Sequence, residues 1–215
     1  VVWTLVVPVK PLAAAKTRLA AGAAGLPGAA LALAFAEDTV AAALACGSVH
    51  DVAVVTDDGP AGARLAALGA RVLPEPPGRG GLNAALAHGA RVVRARRRTG
   101  VATLNADLPA LRPTELGRVL DSAAEFPRAF LADAAGIGTT LLAAAPGKEL
   151  APAFEGRSRA RHRASGAREI ELSDVDSVRQ DVDTEADLRA ALALGVGPRT
   201  AALVSALPLS GRAAD

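Results

Sequence analysis

The stretch VATLNADLPAL, residues 101–111, decides how this chain is read. Val101 to Leu104 is a short β-branched and apolar run, and it leads into a polar turn carrying Asn105 and Asp107 before Pro109 ends it. That is a strand followed by its exit loop. In open α/β sheets ligands gather beyond the carboxyl ends of the strands, so an Asp at such an exit is placed for chemistry. A carboxylate there suits a metal ion. It equally suits an Asx-type turn ahead of the proline, and the stretch alone leaves both readings open.

Upstream, the pattern alternates. Trp3 to Val9 reads as a strand, Ala29 to Ala45 as a long helix with Glu37 and Asp38 on its polar side and Gly47 as its stop. Asp51 to Thr56 is a second strand ending in the turn-like Asp57, Asp58 and Gly59. A short helix over Gly62 to Leu68 and a short strand over Arg71 to Leu73 follow. The order β, α, β, α, β is that of a parallel sheet. Beyond the irregular PEPPGRGG of 74–81 a helix starts at about Leu82, and Arg94, Arg96, Arg97 and Arg98 close it, where cations suit the negative end of the helix dipole. Downstream, Pro113 and Thr114 open a helix to about Glu125, and Arg128 to Ala132 is a strand. Asp133 to Thr140 turns the chain into a further strand, Leu141 to Ala144. Thr184 and Asp187 fit a capping box whose helix ends at Gly195.

Composition sets limits. A chain of 215 residues fills one domain, and with 51% hydrophobic but only 2% aromatic residues its core is built from Val, Leu and Ala in thin layers. Lys and Arg number 24 against 22 Asp and Glu, a net charge of +2, so general polyanion binding is not implied. With no Tyr, one Trp and four Phe there are few rings for bases to stack on, which argues against a single-strand nucleic-acid platform. The lone Cys46 cannot form an internal disulfide, and a reducing compartment, the cytoplasm, is expected. The opening VVWTLVVPVK is too short to span a bilayer, and Gly22, Gly25, Pro27 and Gly28 interrupt the Ala-rich run after it, so no membrane association is expected.

Several polar groups are candidates for a site. Lys10, Lys16 and Arg18 follow the first strand closely enough to wrap a polyphosphate, or to be a solvated basic loop. Neither a Walker pattern nor GxGxxG is present, so a nucleotide would be held by side-chain cations. Asn83, in the first turn of its helix, has an amide able to read a base edge. Gly136 to Thr140 offers amides and two hydroxyls as an anion cradle, or a hairpin connection needing Gly only for positive φ. Arg157, Arg159, Arg161, His162 and Arg163 would spread over more than one face of a helix. Asp181 and Asp183, two apart, face the same way if extended, a second acidic group far in sequence from Asp107.

Together, PVKPLAAAKTRL, LNADLPAL, GIGTTLL, the SRARHRASGA run and QDVDTEADLRAALALGVGPRT resemble the guanylyltransferases that activate phosphoenolpyruvate or 2-phospho-L-lactate in biosynthesis of the deazaflavin coenzyme F-420. The resemblance covers about Val2 to Thr200, and the Ala- and Arg-heavy composition is similar to that of actinobacterial members, which favour phosphoenolpyruvate. It implies a single GT-A-like, Rossmann-like α/β nucleotidyltransferase domain over residues 1–200, with a mixed, mostly parallel sheet flanked by helices. Residues 201–215 form a tail outside the resemblance. It implies magnesium, two ions, on Asp107 and Asp181, catalytic cations at Lys10 and Lys16, and nucleotide contacts from Lys16, Arg18 and Asn83. The phospho-acid is implied at Lys10, Thr139, Ser158 and the position of Glu155, where relatives place a glycine directly after the Phe. GTP and the phospho-acid are the implied partners, together with the transferase that takes up the product. The implied reaction is attack of the substrate phosphate on the α-phosphate of GTP with release of pyrophosphate. A phosphate is already an anion near neutral pH, and no Ser-His or Cys-His pair is evident. A nucleotide-sugar glycosyltransferase of the same fold and a non-catalytic GTP-binding module are the competing readings.

Overall fold

The computed structural model describes residues 1–12, 28–78, 80–96 and 98–206. Lys16 and Arg18 lie outside the described residues. The alternation read from the sequence becomes one seven-stranded sheet in the order β3-β2-β1-β4-β6-β5-β7. Its strands are β1 (Trp3–Pro8), β2 (Val49–Val55), β3 (Arg71–Leu73), β4 (Gly100–Leu104), β5 (Arg128–Ala132), β6 (Thr139–Ala144) and β7 (Arg168–Glu169). Strands β3, β2, β1 and β4 are mutually parallel, and β6 runs antiparallel to both β4 and β5. A two-faced sheet needs apolar residues on both sides of its central strands, and β1, β4 and β6 are buried along nearly their whole length.

Helices α1 (Gly28–Leu44), α2 (Gly59–Ala67), α3 (Gly81–Arg96) and α4 (Pro113–Ala123) flank the sheet, and α5 (Ser158–Ala164), α6 (Asp176–Arg179), α7 (Glu185–Leu194) and α8 (Pro198–Ser205) complete the described residues. One core cluster joins α1, α2 and α4 to one face through Leu5, Val7, Val40, Leu65, Leu104, Leu116 and Leu131. A second joins α3 to the other through Val6, Val55, Leu86, Val93, Phe130 and Leu142. The Ala-rich composition lets these layers approach closely. At Gly89 of α3 an added Cβ would lie 2.6 Å from Val6 and 2.8 Å from Val55, so that crossing of helix and sheet admits no side chain.

Two expectations change. Glu37 and Asp38 are not on a polar face: each is 4% exposed. Glu37 is bridged by Arg64 of α2 at 2.8 Å, with Arg199 at 3.7 Å. Asp38 accepts from the amides of Arg199 at 3.2 Å and Thr200 at 2.8 Å, supplying from α1 the N-terminal cap that Gly197 cannot give α8. The periodicity placed both acids outside because it did not know of a helix packed there. Helix α8 runs across residue 200 and docks on α1, with Thr200 fully buried. The capping box at Thr184 and Asp187 forms as expected, and Gly195 ends α7 at φ 91°. Among the described residues no helix is long and apolar enough to cross a membrane.

Candidate functional site

The rim of the sheet at the carboxyl ends of β1 and β4 collects groups from both parts of the chain. Lys10 follows β1 and is exposed there, and Asp107 follows β4. Because β6 is antiparallel, with Leu104 opposite Leu141, the beginning of β6 comes to the rim where β4 ends. Thr139 and the preceding turn therefore join Asp107, and Asn105 donates its amide to the carbonyl of Thr140 at 3.0 Å.

Asp107 and Asp181, 74 positions apart in the numbering, meet through the backbone: the amide of Val182 donates to the carbonyl of Asp107 at 3.1 Å. A small third core of Leu31, Phe35, Ala110, Val182, Leu188 and Ala191 packs beneath this junction and fixes it. The carboxyl of Asp181 is pushed up to about 7, first by burial and then by the negative charges of Asp107, Asp133 and Asp183. Asp133 is a member of this acidic group that the sequence showed only as the start of a turn. Its two oxygens accept the amides of Ile137 at 2.9 Å and Gly138 at 2.8 Å, closing the Gly136–Gly138 loop. An added Cβ at Gly138 would lie 2.4 Å from Asp133, so the close approach requires the glycine.

The arginine-rich helix resolves into three stripes. Ser158 and His162 face inward and are buried, Arg159 and Arg163 pair with Glu169, and Arg157 and Arg161 are exposed. His162 is the residue whose role the sequence reading missed among its charged neighbours. Its Nε2 accepts the amide of Ala153 at 3.0 Å, so that nitrogen carries no proton, and its Nδ1 lies 2.9 Å from the hydroxyl of Thr139, to which it donates. Burial, reinforced by the Arg128 guanidinium, pushes His162 down to about 4, which keeps the ring neutral. The ring also packs edge-on against Phe154, with centroids 4.9 Å apart.

Asn83 stands at the same place from the other side. Its Nδ2 donates to the carbonyl of Phe154 at 3.0 Å and its Oδ1 accepts the amide of Phe154 at 2.7 Å. This two-pronged clip engages the amide edge that a base would otherwise meet, and it holds the segment leading into Glu155 and Ser158. Glu155 is exposed with φ 86°, a conformation costly for any residue but glycine. The glycine expected after the Phe thus has a backbone reason, and this chain places a side chain on the same bend.

Asp107 and Asp181 suit a hard divalent cation, being oxygen donors in a partly desolvated setting where a positive charge relieves their mutual repulsion. Among the described residues no group of three or more His, Cys, Asp or Glu is gathered to hold a metal alone. Waters, or the phosphate oxygens of a substrate, would complete the shell, as magnesium sites commonly use.

Comparison with known proteins shows the family of the chain. The MobA-like NTP transferase domain matches residues 33–175. A phosphoenolpyruvate guanylyltransferase of Streptomyces coelicolor is 71% identical over 98% of this chain and 99% of its own length. One of Thermomonospora curvata is 62% identical over 96% of this chain and 90% of its own. Among solved structures, a nucleotidyl transferase from Methanothermobacter superposes with a TM-score of 0.62 at 23% identity, covering 90% of this chain and 97% of that one. A Mycobacterium tuberculosis H37Rv protein in complex with manganese superposes with a TM-score of 0.52 at 23% identity, covering 89% and 97%.

Proposed function

The chain belongs to the phosphoenolpyruvate guanylyltransferase family, within the MobA-like nucleotidyltransferases, and from that premise we propose that it transfers GMP from GTP to the phosphate of phosphoenolpyruvate. The product is a diphospho-guanosine of the phospho-acid, a precursor of coenzyme F-420, and pyrophosphate leaves. The single observation that carries the reading onto this chain is the junction in which the amide of Val182 donates to the carbonyl of Asp107, so that the Asp107 charge acts on Asp181.

The reaction joins two anions, and the protein's part is mainly position and charge. Magnesium, as two ions, would bind at Asp107 and Asp181 and supply neutralisation between the anions and at the leaving group. Lys10 and Lys16 are assigned to the reacting phosphates and Arg18 to the nucleotide, as the resemblance implies. Thr139 and Ser158 hold the phospho-acid: His162 fixes the Thr139 oxygen by donating to it, leaving the Thr139 hydroxyl proton to be given to a substrate oxygen. Asn83 is assigned to the acid side of the site through its clip on Phe154, in place of a guanine contact. Glu155 lines the acid subsite through its backbone. A downstream transferase taking up the product completes the proposal.

The test is pyrophosphate release from GTP and magnesium with phosphoenolpyruvate, with 2-phospho-L-lactate, and with no acceptor. Release with phosphoenolpyruvate alone supports the proposal, and release with 2-phospho-L-lactate alone reassigns the substrate. Silence in all three arms with GTP bound removes the activity. The two relatives named above at 71% and 62% identity are guanylyltransferases, which does not favour the glycosyltransferase reading.

A further inference from the structure

Helix α1 offers a single hydroxyl to the rim, that of Thr39, and it does so at the turn that carries Asp107. Thr39 Oγ1 donates to the carbonyl of Ala106 at 3.2 Å and accepts the amide of Leu108 at 3.1 Å. The two bonds fall on the residues immediately before and after Asp107. Thr39 is completely buried, so no water competes for either bond. A hydroxyl has one proton to give and lone pairs to receive, and here it gives upstream and receives downstream of one carboxylate. The peptides flanking Asp107 therefore cannot turn without breaking one of the two bonds.

Backbone bonds also hold the turn: Val182 donates to Asp107, and Gly197 donates to the carbonyl of Pro109 at 2.8 Å. Helix periodicity does not ask for a hydroxyl at this position, since Val40 and Ala43 satisfy the same buried face and Thr is a mediocre helix former. A Val would fill the space.

We propose that Thr39 is a positioning residue for cation binding, aiming the Asp107 carboxylate through the turn on either side of it; this rests on the reading of Asp107 as a cation ligand. Residues that orient a ligand from behind commonly matter tenfold or more for metal affinity. Thr39→Val keeps the shape and removes both bonds, whereas Thr39→Ser keeps the hydroxyl.

The experiment measures Mn2+ binding to the substrate-free protein by electron paramagnetic resonance. It is paired with the Mg2+ concentration for half-maximal pyrophosphate release, KM for GTP and phosphoenolpyruvate, and thermal melts. Thr39→Val is expected to weaken Mn2+ binding and raise the Mg2+ requirement about tenfold, with both KM values within about threefold of the parent. Thr39→Ser is expected to restore metal affinity to within about threefold. Unchanged Mn2+ binding in Thr39→Val, or equal loss in Val and Ser variants, overturns the role of the hydroxyl. Asp107→Asn separates the underlying reading: if it too binds Mn2+ normally, Asp107 is no ligand and both claims fall. Should Thr39→Val not fold, Thr39→Cys, with a weak donor and acceptor of similar size, must lie between Ser and full loss; parent-like binding in that variant overturns the proposal.

Discussion

The two halves of the sheet bring polar groups to one rim by different means. In the parallel half, β3, β2, β1 and β4, each rim residue sits at a strand exit and is steadied by a neighbouring loop or helix. Asp58, for instance, caps α2 through Ala61 at 3.0 Å and also accepts the amide of Leu12 at 2.8 Å. In the half built from β6, β5 and β7 the antiparallel β6 starts at the rim, and its groups are cross-linked by side chains. Asp133 closes the glycine loop, His162 ties Thr139 to Ala153, and Asn83 clips Phe154. The first half leaves Lys10 exposed to solvent, while the second is set in advance. That difference suits a flexible triphosphate on one side and a small, rigid acid on the other.

The largest effect expected concerns the residue where the halves meet. Asp107→Asn should lower turnover by roughly 10²- to 10³-fold, with the fold intact by circular dichroism. Near-normal pyrophosphate release would detach Asp107 from the chemistry.

A second measurement bears on the cross-linked half alone. His162 sits below its usual value, at about 4, so between pH 6.5 and 4 the unfolded chain takes up a proton that the folded protein refuses. Stability is therefore fully present above about pH 6.5 and is lost as pH falls toward 4, by about 3 kcal/mol. Urea unfolding at pH 7, 5.5 and 4 should show the parent losing more stability, or gaining less, than His162→Gln; Asp181, pushed up to about 7, acts in the opposite direction in both proteins, so the difference between them is the His162 contribution. Identical pH slopes in the two proteins would mean that the ring is not held neutral. Arg128 is the charged group that acts on it, and Thr139, Phe154 and Phe130 complete its surroundings.

Asn83→Ala sharpens the contrast between nucleotide and acid sides. It removes both prongs on Phe154 and should cost about 2 kcal/mol of stability. KM for the phospho-acid should rise while KM for GTP stays put. A rise for GTP with relaxed choice between GTP and ATP would instead return Asn83 to reading the base.

The smallest effect is at Glu155. Replacement by Gly relieves a positive φ and should leave stability within about 1 kcal/mol of the parent, because the gain is partly offset by a freer unfolded chain. A larger loss, read by thermal melting, would show the Glu155 side chain to be holding the bend.

How much of this was legible beforehand follows the same division. Strand exits announce themselves, because an apolar run that stops at Asn, Asp and Pro marks both element and rim, and Asp107 was found that way. The parallel order was read from alternation alone. His162 was hidden for a physical reason: surrounded by Arg157, Arg159, Arg161 and Arg163 it reads as one more cation, and only tertiary burial makes it a neutral hydrogen-bonding ring. Thr39, Glu37 and Asp38 were similarly unreadable, since their partners at 106–108, Arg64 and 199–200 come from elsewhere in the chain. Asp181 stood out locally only as one of two acids with Asp183; its pairing with Asp107 came through resemblance, since no local pattern could have said that the two meet.

The cap that Asp38 gives to α8 bears on any shortened form of the gene. Cα positions at 197 are so close to Asp38 that an added Cβ would stand 2.4 Å from its carboxyl carbon, so helix and acid fit as key and ward. A protein ending at residue 196 would keep every proposed ligand and still leave a buried carboxylate without its two amides, next in sequence to Thr39. Water or a proton would have to enter there, and the disturbance would arrive at the Asp107 turn from behind. Helix α8, which carries none of the proposed ligands, is in that sense a remote fastening of the proposed cation site.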